Sequence, residues 1–320
     1  MIPTTTTRTR RRAPLLVVAI LSLFVVVAAA CGSDSSTSST ATTKPAVPAG
    51  PEISIGAQDF PESLLLSEVY NQAFAAAGYS SGVQELGGFR DLLYGAFETG
   101  DVNFALEYSG SLLNYLAKPE QPAGSDVDAN VEGAKALLTP KKIVIATPSA
   151  AVNTNAFVMT KARSEELGIT SLSDLAAKGA NLKLGAPSDC ETNPFCLPGL
   201  KSVYGVDLSA GLVALDDGRA DALKGNQFDV AVLFSTDPPL AGSDLVVLTD
   251  DKNMLPADNI VPVMAQALVD AYGQPFVDLV NKISAALTTA NVTEMNAAYV
   301  VDKEDAEVVA ANFLAANGLD

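Results

Sequence analysis

Ile53-Ser-Ile-Gly-Ala-Gln-Asp-Phe-Pro-Glu62 reads as a strand that runs straight into a helix. Its first five residues are β-branched or small, the pattern of a short strand. Asp59 with Glu62 three residues on has the spacing of a capping box, in which side chains satisfy free helix amides. Pro61 is tolerated in a first helical turn because its missing N–H would be unpaired there anyway. Leu66, Val69, Ala73 and Ala76 then recur at helical spacing, and Gly78 closes the element. The alternation continues downstream. Strands are expected at 83–86, 103–107, 142–146, 182–186, 230–234, 245–248 and 260–264, with a further apolar run at 156–159. Helices are expected at 90–98, from Gly110 onward, and at 172–178, 198–204 and 218–223. Strands alternating with helices predict an α/β fold, with parallel sheets covered on both faces.

The tail, 266–319, is almost wholly helical by pattern and brings no strands of its own. Such helices need a sheet to pack on, and the simplest one is the first strand-and-helix unit. A second unit begins near Thr154 and ends near Ile260. The expected layout is two α/β lobes joined by two crossings, near residues 153 and 261. Lobe 1 takes 52–152 plus 262–320, and lobe 2 takes 153–261.

Upstream of the fold stand Arg8, Arg10, Arg11 and Arg12, then an apolar run at 15–27, then Ala28-Ala29-Ala30-Cys31. A basic segment, an apolar segment and small residues make up a secretory signal peptide, here 1–30. A cysteine directly after the small residues resembles the lipobox of bacterial lipoproteins. That resemblance implies lipid on Cys31 and a mature chain outside the cytoplasm, tied to the cell membrane. An uncut signal anchor is the alternative, but the apolar run is short against the roughly 20 residues a spanning helix needs. Residues 31–51 are rich in Ser, Thr, Ala and Pro. Such a stretch cannot bury enough surface to offset chain entropy and is expected to be a flexible tether.

The chain carries 20 Lys and Arg against 37 Asp and Glu, a formal net charge of −17. It is more negative still once the four leader arginines are set aside. A strongly acidic surface repels phosphate backbones, so no nucleic acid is expected as partner. A cationic or zwitterionic small ligand is easier to accommodate than an anionic one. With no histidine in the chain, a histidine base, a serine–histidine pair and a histidine metal ligand are all excluded. No phosphate-cradling glycine loop or dinucleotide fingerprint is present, and no cofactor or metal is expected. Asp216-Asp217 and Asp250-Asp251 are the spacing of turn residues and helix caps more often than of metal ligands. A carboxylate-dependent hydrolase stays open as the alternative to a binding protein. Beyond Cys31 there are two cysteines, Cys190 and Cys196, in one short loop. Outside the cell they are expected to form a disulfide that stiffens it, because the spacing is not that of a zinc site.

Several further stretches resemble the solute-binding proteins of ABC importers for osmoprotectants, the ProX-like receptors for glycine betaine, choline and carnitine. They are residues 53–62, Gly100-Asp-Val-Asn-Phe-Ala-Leu-Glu-Tyr-Ser-Gly110, Leu172-Ser-Asp-Leu175, Leu197-Pro-Gly-Leu-Lys-Ser-Val-Tyr-Gly205, Phe228-Asp-Val-Ala-Val-Leu-Phe-Ser-Thr-Asp237 and Leu245-Val-Val-Leu-Thr-Asp-Asp-Lys252. They keep the family's order and span nearly the whole folded part. The resemblance implies a two-lobed, type II periplasmic-binding-protein-like fold with the ligand in the cleft, a membrane permease as partner, a monomeric receptor and no catalytic step. A sensory receptor is a further alternative. A quaternary ammonium donates no hydrogen bond and is held by aromatic faces. The family's aromatic cage places Tyr108 and Phe234 in the site, with a core position as the other reading of Phe234. Two cage positions depart from the pattern and carry Asn155 and Asp258, which implies that half of the cage is missing and that the ligand is more polar than a simple trimethylammonium. Gln58 and Asp59 stand at the first strand-to-helix turn, where a ligand oxygen can meet free helix amides. The other reading of Asp59 is a plain helix cap.

Overall fold

A computed structural model of the chain describes residues 47–117, 123–216 and 218–320. The expected signal peptide, Cys31 and the expected tether up to residue 46 lie outside the described residues, as does Asp217. No helix among the described residues is long and apolar enough to cross a membrane.

The chain opens with β1 (Ile53–Ala57), α1 (Pro61–Ala77), β2 (Ser81–Glu85), α2 (Arg90–Thr99), β3 (Phe104–Tyr108), α3 (Ser109–Ala117), α4 (Val127–Leu138) and β4 (Ile143–Ile145). It then crosses to β5 (Asn155–Thr160), α5 (Lys161–Leu167), α6 (Leu172–Lys178), β6 (Leu184–Ala186), α7 (Leu197–Gly199), β7 (Leu212–Ala214), α8 (Arg219–Lys224), β8 (Val230–Phe234) and β9 (Leu245–Val247). It returns through β10 (Ile260–Ala265) and ends in α9 (Gln266–Tyr272), α10 (Gln274–Ala286), α11 (Thr289–Asn296) and α12 (Ala306–Asn317).

Among the described residues the strands form two five-stranded sheets, ordered β2-β1-β3-β10-β4 and β7-β6-β8-β5-β9. The two sheets repeat one design. In each, three strands joined by helical crossovers pair in parallel, as such connections require. The fourth strand, β10 or β5, is antiparallel to both neighbours. That strand is in each case the one that arrives from the other lobe. β10 pairs in the first sheet from Ile260 onward, opposite Tyr108, so the second crossing is complete before residue 261.

Both faces of each sheet are covered. In lobe 1, α1 and α9–α12 share one core with β1 and β3, built on Tyr70, Phe74, Phe104 and Phe276. Leu93, Leu112, Leu138 and Val263 fill the other face. In lobe 2 the two faces are Phe157, Leu172, Leu200 and Val232, and Val158, Leu223, Phe228 and Leu233. A Cβ on Gly56 would stand 2.8 Å from Leu93 Cδ1 and 2.9 Å from Val102 Cγ1, so glycine there lets the helix layer close on β1.

The start of α1 corrects the capping box. Phe60, extended at φ −155° and ψ 151°, is the N-cap, and no side chain caps the helix. Asp59 is exposed. Glu62 is buried and turned to partners far away in the sequence. The helix α4 and the three-residue strand β7, half-exposed at Leu212 and exposed beyond it, were not legible from periodicity.

Candidate functional site

A cavity of about 1000 Å³ lies between the lobes. Its walls come from the C-terminal ends of β1, β3 and β8, the N-terminal parts of α1 and α2, the crossings and the disulfide loop. This is where ligands bind in open α/β sheets.

Glu62 organises the lobe 1 wall. Its Oε1 accepts from Tyr108 Oη at 2.6 Å and from Asn153 Nδ2 at 2.9 Å, and its Oε2 accepts from Asn296 Nδ2 at 2.6 Å. The three donors come from β3, the first crossing and α11, so one carboxylate ties three segments together. Asn296 also donates to the Thr236 carbonyl of lobe 2 at 2.9 Å. Tyr108 is 6 % exposed and its ring lies 6.1 Å from that of Phe60. Burial, with Glu62 beside it, holds its hydroxyl protonated far above the ordinary tyrosine range.

Beneath Tyr108, Glu107 is fully buried and binds Arg90. Arg90 Nε donates to Oε1 at 3.2 Å and Oε2 at 3.0 Å, and Nη2 stands 2.9 Å from Oε2. Burial pushes the Glu107 carboxyl up, and Arg90 opposes that. For Arg90 burial acts downward, but Glu107 and then Asp258 outweigh it and hold the guanidinium charged.

Asp258 lines the cavity, but its carboxylate is already engaged. Oδ1 accepts from the amides of Gly110 and Ser111, both at 2.8 Å, and Oδ2 accepts from Ser111 Oγ at 2.5 Å. It closes the open amides at the start of α3, 148 positions away, so the charge expected in the cleft is committed to a helix end. Gly110 makes this approach possible: a Cβ there would meet Ala257 O at 2.9 Å.

Lobe 2 contributes Asn155, Asp189, Asn193, Phe195, Phe234 and Asp237. Phe234 is 45 % exposed, which removes the core reading. Asp237 accepts from the Phe234 amide at 2.9 Å, and burial raises its carboxyl above the ordinary aspartate value. Asn155 faces the cavity while its Nδ2 donates to Phe195 O at 3.3 Å. Cys190 and Cys196 are disulfide-bonded, with Cα atoms 5.2 Å apart, and this staple carries Phe195 to the rim.

Of the six residues predicted for the site, Gln58, Tyr108, Asn155, Phe234 and Asp258 line the cavity and Asp59 does not. The sequence reading missed Phe60, Phe89 and Phe195. Among the described residues five aromatic side chains line the cavity, Phe60, Phe89, Tyr108, Phe195 and Phe234, while the two departing cage positions do carry Asn155 and Asp258. Two of the three lie next to residues already singled out, Asp59 and Cys196. The metal-like pairs are structural where described: Asp216 accepts from Ser188 N, Asp250 from the Tyr204 hydroxyl and the amides of Met254 and Leu255, and Asp251 from Ser173 N.

Two lobes, each built on a mixed sheet and enclosing a lined cleft, define a solute-binding protein of the periplasmic type. Residues 51–316 match the family described as OpuAC, the substrate binding domain of the ABC-type glycine betaine transport system. The chain belongs to this family. The glycine betaine-binding protein YehZ of Escherichia coli (strain K12) is 25 % identical over 289 residues, 87 % of this chain and 94 % of that protein. The glycine-betaine-binding protein of Pseudomonas aeruginosa is 28 % identical over 273 residues, 82 % and 86 % of the two chains. A crystal structure described as a glycine betaine/carnitine/choline ABC transporter superposes with a TM-score of 0.75 at 24 % identity, over 83 % of this chain and 99 % of that one. As the substrate-binding domain of an ABC transport system, the chain works outside the cytoplasm, binds a small molecule and hands it to a permease. It is a binding protein and not an enzyme.

Proposed function

We propose that the chain is the membrane-tethered receptor of an importer for quaternary amines, held to the cell surface by lipid on Cys31 and acting as a monomer. The observation that carries this reading is the cleft lining: Phe60, Phe89 and Tyr108 from lobe 1, with Phe195 and Phe234 from lobe 2, around an acidic cavity. A quaternary ammonium has a diffuse positive charge and no donor, so aromatic faces bind it and nearby carboxylates add attraction without a directed hydrogen bond. Each ring in contact is worth on the order of 0.5–2 kcal/mol. The glycine betaine named for the Escherichia coli and Pseudomonas relatives supports this ligand class. The lipid anchor rests on the run ending in Ala30-Cys31.

Titration calorimetry of the purified protein with a panel of quaternary amines tests the ligand class. Saturable binding of at least one, with none of the uncharged polyols binding, is expected; a protein that binds polyols and no quaternary amine contradicts the reading. For the anchor, Cys31→Ser is expected to move the protein from the membrane pellet to the soluble fraction. A variant that stays in the pellet contradicts the lipid on Cys31.

A further inference from the structure

Phe234 ends the lobe 2 strand β8, but the turn that follows it is held by the first crossing and by lobe 1. The Ser235 amide donates to Thr154 O at 2.9 Å. Ser235 Oγ donates to Val152 O at 2.7 Å and accepts from the Thr154 amide at 3.0 Å. The next carbonyl, Thr236 O, accepts from Asn296 Nδ2 at 2.9 Å, and Asn296 belongs to the lobe 1 helix α11. The short helical turn Pro238–Ala241 then packs on α11 and on the segment Ala297–Val301 behind it. The two lobes are therefore joined by the two covalent crossings and, beside them, by a non-covalent contact.

An amide nitrogen has two hydrogens. Asn296 gives one to Glu62 Oε2 at 2.6 Å and the other to Thr236 O. The other oxygen of Glu62 accepts from the Tyr108 hydroxyl at 2.6 Å. Three hydrogen bonds in series thus run from Tyr108, a ring of the lobe 1 wall, to the residue between Phe234-Ser235 and Asp237 on the lobe 2 wall. All four members, Tyr108, Glu62, Asn296 and Thr236, are buried. Without water to compete, such a series is stiff. Asn296 is buried with both amide hydrogens spent, so it acts through Glu62 and Thr236 and not on a ligand.

We propose that Asn296 is a positioning residue, the third joint between the lobes, which fixes the angle at which Phe234 and Asp237 face Tyr108. The turn it holds is bonded to the crossing itself, so the joint lies close to the axis about which the lobes move and is kept as they close. A protein whose lobes are pre-set in this way pays less ordering entropy on binding and keeps more of its population competent to bind. This goes beyond the quaternary-amine reading and does not depend on it.

Pulsed electron–electron resonance on the ligand-free protein tests this, with spin labels on Asp128→Cys in α4 and Lys224→Cys in α8 in a Cys31→Ser background. Both positions are exposed, one on each lobe, and Cys190 and Cys196 are paired and take no label. A narrow inter-lobe distance distribution is expected, which Asn296→Ala widens at least about twofold. Asn296→Ser, which keeps one donor, is expected to lie between the two and carries the same test should the alanine variant not fold. Ser284→Ala removes a buried hydrogen bond to Thr147 O inside lobe 1, 2.8 Å long, and is expected to lower Tm while leaving the distribution narrow. An unchanged width in both Asn296 variants overturns the inference, and so does equal widening in Ser284→Ala, since lost stability would then account for it. By calorimetry, glycine betaine is expected to bind Asn296→Ala about tenfold more weakly than the unaltered protein; weaker binding with an unchanged distribution overturns the joint. The distance measurement needs no ligand, so a failure of the quaternary-amine reading stays distinguishable from a failure of this one.

Discussion

On the lobe 1 side of the cleft Tyr108 is 6 % exposed and donates to a buried Glu62, whereas on the lobe 2 side Phe234 is 45 % exposed. The first wall is a network: Glu62 with its three donors, Glu107 with Arg90, and Asp258 across the start of α3. The second is a set of residues at a strand end and on a stapled loop. A wall that is already ordered gives up little entropy when a ligand arrives, and an exposed ring gains most from being covered. The two lobes share a sheet design, but lobe 1 brings a hydrogen-bonded network to the cleft and lobe 2 the exposed ring of Phe234.

The largest effect that separates them is expected at Glu62. Glu62→Ala removes the acceptor that the Tyr108 hydroxyl, the half-buried Asn153 and Asn296 share, although Asn296 keeps the Thr236 carbonyl, and hydrogen bonds to a charged group are worth about 1.5–3 kcal/mol each. Allowing for relaxation and rearranged partners, the expected loss is about 4 kcal/mol, or about 10 °C in Tm for a protein of this size. A melting curve that does not move would show that the lobe 1 network is not what orders that wall. Opening the Cys190–Cys196 staple comes next. A bridge across so short a loop contributes about 2 kcal/mol in the chain-entropy account, so the Cys190→Ser, Cys196→Ser double variant is expected to melt several degrees lower. Its ligand affinity should fall too, because Phe195 loses its fixed place. Unchanged affinity would take the disulfide loop out of the site.

The paired variants Tyr108→Ala and Phe234→Ala sharpen the contrast further. Tyr108→Ala is expected to weaken ligand binding by more than about tenfold and to lower Tm, since it removes both a ring and a buried hydrogen bond. Phe234→Ala is expected to weaken binding about 2- to 30-fold, the range for one cation–π partner, with Tm nearly unchanged. Equal effects on Tm would erase the distinction between the walls. The smallest effect is on pH. Burial raises the carboxyls of Asp237 and Asp258 above the ordinary aspartate value. As pH falls through those raised values the cleft loses negative charge, so cation affinity measured by calorimetry should begin to fall at a pH above the usual aspartate range. These raised values favour the folded state in acid: that contribution is complete below the unfolded aspartate value and is lost as pH rises through the folded one. Weaker binding in acid is therefore not unfolding driven by these two groups, and a flat affinity profile would remove them from the cleft's electrostatics.

Much of the scaffold was legible because it is written locally. Ile53–Ala57, Val230–Phe234 and Ile260–Ala265 announce themselves as short apolar runs, and the run of helices after Gln266 showed that the chain must return to the first sheet. What stayed hidden is set by distant partners. Glu62 sits three residues after Asp59 at capping-box spacing, yet its partners lie 46, 91 and 234 positions away. Asp258 read as a cleft charge because nothing nearby in sequence reveals the amides of Gly110 and Ser111 that it closes. Phe89 and Phe195 carry no motif. They reach the cavity because a helix start and a stapled loop happen to meet it, which only the fold discloses.

A crystal structure of the protein grown with choline tests the central claim most directly. The account predicts the ammonium between the lobes, within about 6 Å of the ring centroids of both Tyr108 and Phe234. An ammonium bound outside the cleft, or one held by the rings of a single lobe with the other wall left uncovered, would contradict it.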